Sequence, residues 1–255
     1  MNIGEIKKEF KALDYDSPES ILEFINNHKT DERSGVISII ESANKKLDAI
    51  NKEIIRSDKM LSFERKYYEL GNQYICGIDE VGRGPLAGPV VTCAVILPKD
   101  EKILYLNDSK QLSKKKREEL YDIIIDKAVA YGIGIVSEQR IDEINILQAT
   151  FEAMRMAINN LGIKPDILLN DAVKIPDVDI PQVPIIKGDT LSASIAAASI
   201  VAKVTRDRMM EGYGEIYPEY DFGSNMGYGS AKHIQALKDV GPCPIHRRTF
   251  IGNFI

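Results

Sequence analysis

An α/β domain preceded by a helical N-terminal segment is the fold class this sequence predicts, and three observations predict it. From Gln73 onward, short apolar runs alternate with stretches of helical periodicity. Residues 1 to about 70 hold no strand-like run, and their apolar residues recur at helical spacing. Two of the later apolar runs end in acids, which places charge at the carboxyl edge where open α/β sheets bind ligands. The expected division is a helical extension over 1–71 and an α/β domain over 72–255.

In the extension, Ser17-Pro18-Glu19 reads as a helix start, with Ser17 as cap and Pro18 in the first turn. Val36, Ile40, Ala43, Leu47, Ile50, Ile54 and Leu61 follow a three-four spacing that predicts one long amphipathic helix. Gly71 is a plausible stop. This segment reads as a packing or solubilising element.

Farther on, Tyr74 to Asp79 and Pro89 to Leu97 read as consecutive strands joined by a glycine-rich turn. Ser113 caps a helix through Leu120 and Ile124. Lys114, Lys115, Lys116 and Arg117 in its first turn oppose the helix dipole, and a solvated face is their commonest explanation. Gly132 to Val136 is a third strand, and Ile141 to Leu161 a long helix. Ile167 to Asp171 is another buried strand ending in an acid. The apolar run Val183 to Ile186 precedes an alanine-rich helix over Ser192 to Met210, whose small side chains permit close packing on a sheet.

Bulk properties narrow the function classes. Hydrophobic residues make up 44% and charged residues 28%, as in an ordinary globular protein. The 33 basic and 38 acidic residues leave a net charge of −5, which argues against a generically basic nucleic-acid binder but not against a local basic surface. Cys76, Cys93 and Cys243 have no metal-ligand spacing and read as reduced thiols of a cytoplasmic protein. No apolar run is long enough to cross a bilayer, and no membrane partner is expected.

The chemistry concentrates in Gly77-Ile78-Asp79-Glu80-Val81-Gly82-Arg83-Gly84. Adjacent carboxylates repel unless a cation sits between them, and the glycines let something large approach the backbone. Asp171 repeats the logic of Asp79, and Asp189 lies between an apolar run and a helix. Each acid alone could be a turn former or cap; Asp189 could merely cap the helix after it. Gathered, the four would require divalent cations. Oxygen ligands with open positions suit Mg²⁺ or Mn²⁺, and two such ions would form the clamp used in phosphodiester displacement.

The chain resembles the bacterial type 2 ribonucleases H. The resemblance is carried by Gly77 to Pro89, Asn107-Asp108-Ser109-Lys110-Gln111-Leu112-Ser113, Leu169-Asn170-Asp171-Ala172, Lys187-Gly188-Asp189, Ala196 to Asp207, Gly227-Tyr228-Gly229 and Pro244-Ile245-His246-Arg247-Arg248. It spans 73 to 250 in family order. It implies an RNase H-like fold, a mixed five-stranded sheet flanked by helices. It further implies hydrolysis of RNA in RNA–DNA hybrids and incision 5′ of single ribonucleotides embedded in duplex DNA. The family's catalytic and metal-binding acids fall on Asp79, Glu80, Asp171 and Asp189, its glycine-arginine-glycine motif on Gly82, Arg83 and Gly84, and its substrate-sensing tyrosine on Tyr228. Taken from the residues alone, Tyr228 would pass as a half-buried aromatic.

Lys110, Lys203 and Arg83 are candidates for phosphate contacts, and Asp108, Ser109 and Thr190 are weaker ones. His233 and His246 read as structural or surface groups rather than a general base. The purely helical extension favours type 2 over type 3 enzymes, whose extension contains sheet. A DNA-cutting nuclease of the same superfamily, or a binding module that has lost catalysis, are the competing readings. A monomer with two divalent ions at the substrate-bound site is expected.

Overall fold

The computed structural model describes residues 1–255, which form two compact units, Met1–Lys59 and Met60–Ile255. In the first, α1 (Ile3–Lys11) begins with a capping box between Asn2 and Glu5. Helix α2 (Pro18–His28) starts as its sequence predicts, the Ser17 hydroxyl accepting from the Ser20 N–H. Helix α3 (Ser34–Met60) is the long amphipathic helix. Ile6, Ile21, Phe24, Val36, Ala43 and Ile50 are buried, and the Phe10 and Phe24 rings lie 5.5 Å apart.

The second unit begins with α4 (Ser62–Glu69), ahead of the 71/72 division expected from sequence. Packing explains the difference. Phe63, Tyr67 and Tyr68 cover Ile75, Ile167, Leu169 and Ile195. The buried Glu64 carboxylate accepts from the Ser192 hydroxyl (2.6 Å) and the Ser194 N–H (2.9 Å).

The sheet consists of β1 (Ile75–Val81), β2 (Val90–Ile96), β3 (Ala130–Val136), β4 (Ile167–Asp171) and β5 (Gln182–Ile185), in the order β3-β2-β1-β4-β5. Strands β1, β2 and β3 pair antiparallel, whereas β4 pairs parallel with both β1 and β5, so the sheet is mixed. Ile78 and Asn170 are the last pair of the parallel register, so the next residues of the two strands, Asp79 and Asp171, lie side by side where that pairing ends.

Helices α5 (Lys114–Lys127) and α8 (Ala193–Ile216) cover one face, burying Val91, Cys93 and Val95 against Ala196, Ala197, Ile200, Leu120 and Ile124. Helix α6 (Glu138–Asn159) covers the other over Cys76, Ile78, Ala94 and Leu168. It is broken at Asn145, whose side chain accepts from the N–H groups of Leu147 and Gln148 and restarts the helix. The alanine-rich stretch packs as closely as its composition predicts. A β-carbon on Gly77 would stand 2.1 Å from the backbone carbon of Ser194, so α8 rests directly on β1. The short helices α7 (Gly188–Leu191), α9 (Phe222–Asn225) and α11 (Arg248–Ile251), with α10 (Ala231–Val240), complete the unit. No helix is long and apolar enough to cross a membrane.

Candidate active site

At the carboxyl ends of β1 and β4 the surface opens into a cleft of about 340 Å³. Its walls are Asp79, Glu80, Val81, Gly82, Arg83, Gly84, Ser109, Lys110, Asp171, Asp189, Ser199 and Tyr228. Beside Ser109 and Lys110 ahead of α5 and Ser199 on α8, four further parts of the chain converge there. Strand β1 and its following turn bring the adjacent acids and the glycine-arginine-glycine segment, and β4 brings Asp171. The short helix α7 after β5 brings Asp189, and the segment between α9 and α10 brings Tyr228.

The carboxylates are held by the chain's own donors. Asp79 accepts from the Glu80 N–H at 2.7 Å, and Asp171 from the Gly188 N–H at 2.8 Å. Glu80 faces the Arg83 guanidinium at 3.4 Å. Burial pushes the Asp79 carboxyl well above the ordinary carboxylate range, and the neighbouring Glu80 and Asp171 push it further; a hydrogen bond from Ser199 opposes them. Glu80 is raised by burial, against the pull of Arg83 and Lys110. Asp189 is raised by burial and by Asp171 and Asp108, again opposed by Lys110. These acids are short of positive charge. No three of the chain's histidine, cysteine, aspartate or glutamate side chains close on a single point. Even so, the donors are all carboxylate oxygens at one cleft, their charge is only partly offset by Arg83 and Lys110, and the set suits a hard divalent cation.

The turn after β1 is fixed from below by two arginines with no exposed surface. Arg247 donates to the carbonyls of Gly82 (2.5 Å), Arg83 (2.9 Å) and Gly88 (2.8 Å). Arg206 donates to Pro89 (2.9 Å), Met226 (2.9 Å) and Ala87 (3.1 Å). Desolvation lowers them, Arg206 to about 10 and Arg247 to about 9, the latter also through repulsion from Arg206; both stay charged at neutral pH. A trans peptide points its N–H opposite its C=O, so gripping the Gly82 and Arg83 carbonyls turns the Arg83 and Gly84 N–H groups away from the buried guanidinium. Gly82 has φ +91°, and a β-carbon there would stand 2.3 Å from Arg206 Nε, so both conformation and space require glycine. Across the cleft, the 45% exposed Tyr228 ring stands close to Gly84; a β-carbon on Gly84 would lie 3.7 Å from Tyr228 Cε1.

Lys110 reaches the cleft because Arg117 donates to the carbonyls of Ser109 (3.1 Å) and Leu112 (2.6 Å), fixing its turn. Lys203 is not among the lining residues; it donates to Asp207 at 2.7 Å, an acid that Arg117 also faces at 3.6 Å. The cations opening α5 are taken up by nearby acceptors, Lys114 by Glu211 at 2.5 Å and Lys116 by Glu119 at 3.4 Å. Asp189 is not the cap of α8, a role taken by Ser192. His233 and His246 are buried and away from the acids.

Sequence reasoning passed over Ser199, which lines the cleft and whose hydroxyl lies 3.1 Å from that of Ser109. Its signal was a hydroxyl on an otherwise alanine-rich helix face. It also passed over Arg206 and Arg247 as supports, since nothing local distinguishes a buried arginine from a surface one.

Comparison with known proteins gives a consistent picture. A family model described as ribonuclease HII matches residues 76–253, and one described as the ribonuclease HII N-terminal domain matches residues 2–68. The chain is 58% identical over 253 residues to ribonuclease HII of Lachnoclostridium phytofermentans, covering 99% of this chain and 98% of that protein. It is 50% identical over 254 residues to that of Clostridioides difficile, covering 100% and 98%. Among solved structures, ribonuclease H2 of Pyrococcus horikoshii superposes with a TM-score of 0.57 at 32% identity, over 69% of this chain and 93% of that one. RNase HII of Archaeoglobus fulgidus, solved in complex with PCNA, superposes with a TM-score of 0.58 at 29% identity, over 71% and 96%.

Proposed function

The chain belongs to the ribonuclease HII family, a family of ribonucleases H acting on RNA–DNA hybrids, and we propose that it also incises duplex DNA on the 5′ side of a single embedded ribonucleotide. The observation that carries this reading is the meeting of two kinds of group in one cleft: four acids suited to phosphodiester hydrolysis, and a glycine-rich turn facing Tyr228.

Asp79, Glu80, Asp171 and Asp189 would hold divalent ions, Mg²⁺ or Mn²⁺, two of them when substrate is bound. Such ions supply charge neutralisation at the reacting phosphate and ease the deprotonation of water. The chain's own groups do the rest. The reaction adds water to phosphorus and breaks the bond to the 3′ oxygen of the preceding nucleotide, leaving a 3′-hydroxyl and a 5′-phosphate on the ribonucleotide. Carboxylates short of positive charge favour the site only when it is loaded, which ties activity to cation binding.

The 2′-hydroxyl is the one feature that separates the target sugar from its neighbours. The N–H groups of Arg83 and Gly84, turned outward by the grip of Arg247, can donate to it. The Tyr228 ring covers the adjacent sugar, and its hydroxyl reaches the same 2′-oxygen. Arg83 and Lys110 contact phosphates and set the register of the duplex without reading sequence. Lys203, paired with Asp207, is not needed for this reading.

One assay tests it. The purified protein is given a DNA duplex bearing one ribonucleotide, with Mg²⁺ or Mn²⁺, beside all-DNA and all-RNA duplexes. Incision confined to the 5′ side of the ribonucleotide is expected, and equal cutting of the all-DNA duplex would overturn the reading.

A further inference from the structure

Behind Tyr228 runs a chain of hydrogen bonds with both ends fixed. His233 Nδ1 lies 2.9 Å from the Tyr228 carbonyl oxygen, His233 Nε2 lies 2.9 Å from His246 Nε2, and His246 Nδ1 lies 3.0 Å from the Cys243 backbone nitrogen. A carbonyl can only accept, so His233 carries its proton on Nδ1 and its Nε2 is bare. The Cys243 N–H can only donate, so His246 Nδ1 is bare and its proton sits on Nε2, where it donates to His233. The Cys243 thiol, pushed up by burial and therefore protonated, faces the same Nδ1 at 3.1 Å. This assignment, with both rings neutral, satisfies the shorter contacts; the Cys243 carbonyl oxygen, 3.3 Å from His246 Nδ1, accepts instead from the His246 backbone N–H at 3.2 Å.

The surroundings hold that assignment. His233 is 0% and His246 2% exposed, and the rings of Tyr220 and Phe222 enclose them, with centroids 4.8 Å from His246 and 5.2 Å from His233 respectively. Burial lowers both imidazoles, His246 to about 4. A proton added to His233 Nε2 would set two N–H groups against each other across the 2.9 Å contact, and one added to His246 Nδ1 would face the Cys243 N–H at 3.0 Å.

The chain also joins the two walls of the cleft. His246 bridges to Ala87, the Gly88 N–H donates to Ile245, and the Arg247 N–H donates to Leu86, so the segment carrying His246 is paired to the residues that follow the Gly82–Gly84 turn. At the other end, the Tyr228 carbonyl takes the His233 bond together with one from the Ser230 N–H at 2.8 Å.

We propose that His233 and His246 are positioning residues for ribose selection: the buried imidazole pair sets where Tyr228 stands against the Gly82–Gly84 turn, and so the width of the slot that admits the sugar. This rests on the reading of Tyr228 given above. Neither histidine touches substrate.

The test compares wild type, Y228A, H246F, H246Q and the H246F/Y228A double variant. Each is assayed for kcat and KM at one ribonucleotide in DNA and within a continuous RNA–DNA hybrid, with thermal melting as a fold control. Gln keeps a donor at the position of His246 Nε2, whereas Phe leaves His233 Nε2 unpaired. H246F is expected to lose about tenfold or more in kcat/KM at the single ribonucleotide, mostly in kcat, and less on the hybrid, as a small misplacement of a contact group does. H246Q restores most of that loss, and H246F costs nothing further once Y228A is present. If Y228A lowers single-ribonucleotide incision and folded H246F does not, the positioning role is overturned. It is also overturned if H246F loses both substrates equally, with or without Tyr228. If H246F fails to fold, H233N decides: it keeps a donor for the Tyr228 carbonyl but not the link to His246, and wild-type selectivity in it sinks the proposal. No effect of Y228A on either substrate marks instead the failure of the underlying reading of Tyr228, and the positioning role falls with it.

Discussion

Arg247 Nη2 donates to the Gly82 carbonyl oxygen at 2.5 Å, across 165 residues of sequence. A fully buried cation from the chain's last segment thereby holds the turn that follows its first strand. The guanidinium has no carboxylate in contact; its planar fork is used up on the carbonyls of Gly82, Arg83 and Gly88. Removing it would strand those acceptors in a dry interior.

Arg247→Met is therefore expected to cost about 3 kcal/mol or more, as loss of a buried charged donor with several acceptors does. Arg247→Lys, which keeps the charge but not the fork, should recover only part of this. Urea denaturation of the two variants beside wild type measures both effects, and equal stability of all three would remove the clamp from the account.

Asp79→Asn should abolish cleavage and yet stabilise the protein when divalent ions are absent. The Asp79 carboxyl is raised by burial and by Glu80. A raised acid contributes stability at low pH that is lost as pH rises through its folded value, so at neutral pH the ionised site opposes folding. Relieving it should raise the melting midpoint of the metal-free protein. Melting with and without Mg²⁺ checks this: added Mg²⁺ should raise the midpoint of wild type much more than that of the variant.

Two neighbouring glycines should respond oppositely to alanine. Gly82→Ala places a β-carbon 2.3 Å from Arg206 Nε at φ +91°, and should destabilise the fold by about 1–3 kcal/mol. Gly84→Ala meets only Tyr228 Cε1 at 3.7 Å, so stability should stay within about 0.5 kcal/mol of wild type. The slot is narrowed all the same, and incision at a single ribonucleotide should fall. Paired melting and incision assays on the two variants decide whether fold and selectivity separate in this way.

His246 gives a defined pH signature. Its imidazole is held near 4 in the folded state against 6.5 unfolded. Between those values the unfolded chain binds the extra proton, so stability rises with pH across that window and is lost on acidification. The slope is at most about 1.4 kcal/mol per pH unit for one such group. The raised acids of the cleft act in the opposite sense, so the difference between wild type and H246Q isolates the histidine. Denaturation curves at pH 7.5 and 5 should show wild type losing more on acidification than H246Q, and parallel losses would refute the assignment.

Much of the site was legible in order along the chain. Asp79, Glu80 and Asp171 announce themselves because apolar strands end in them, and strand ends are where a sheet presents side chains to a ligand. The start of α2 and the close packing of α8 also follow from local chemistry, a serine before a proline and a run of alanines. Ser199 was harder to see, because a serine on an alanine-rich helix has no periodic signature of its own.

By itself, then, the sequence determined the order of elements, the four acids, the glycine-rich turn and the family to which they belong, since each is carried by a short contiguous pattern. Only the tertiary structure decided that α4 packs with the sheet through Glu64, that Lys203 pairs with Asp207 outside the cleft lining, that Arg247 reaches Gly82, and that two buried histidines stand behind Tyr228. The reason is physical. A buried polar group is defined by the partners that satisfy it; for Glu64, Arg247 and the histidine pair, those partners lie on other elements of the folded chain.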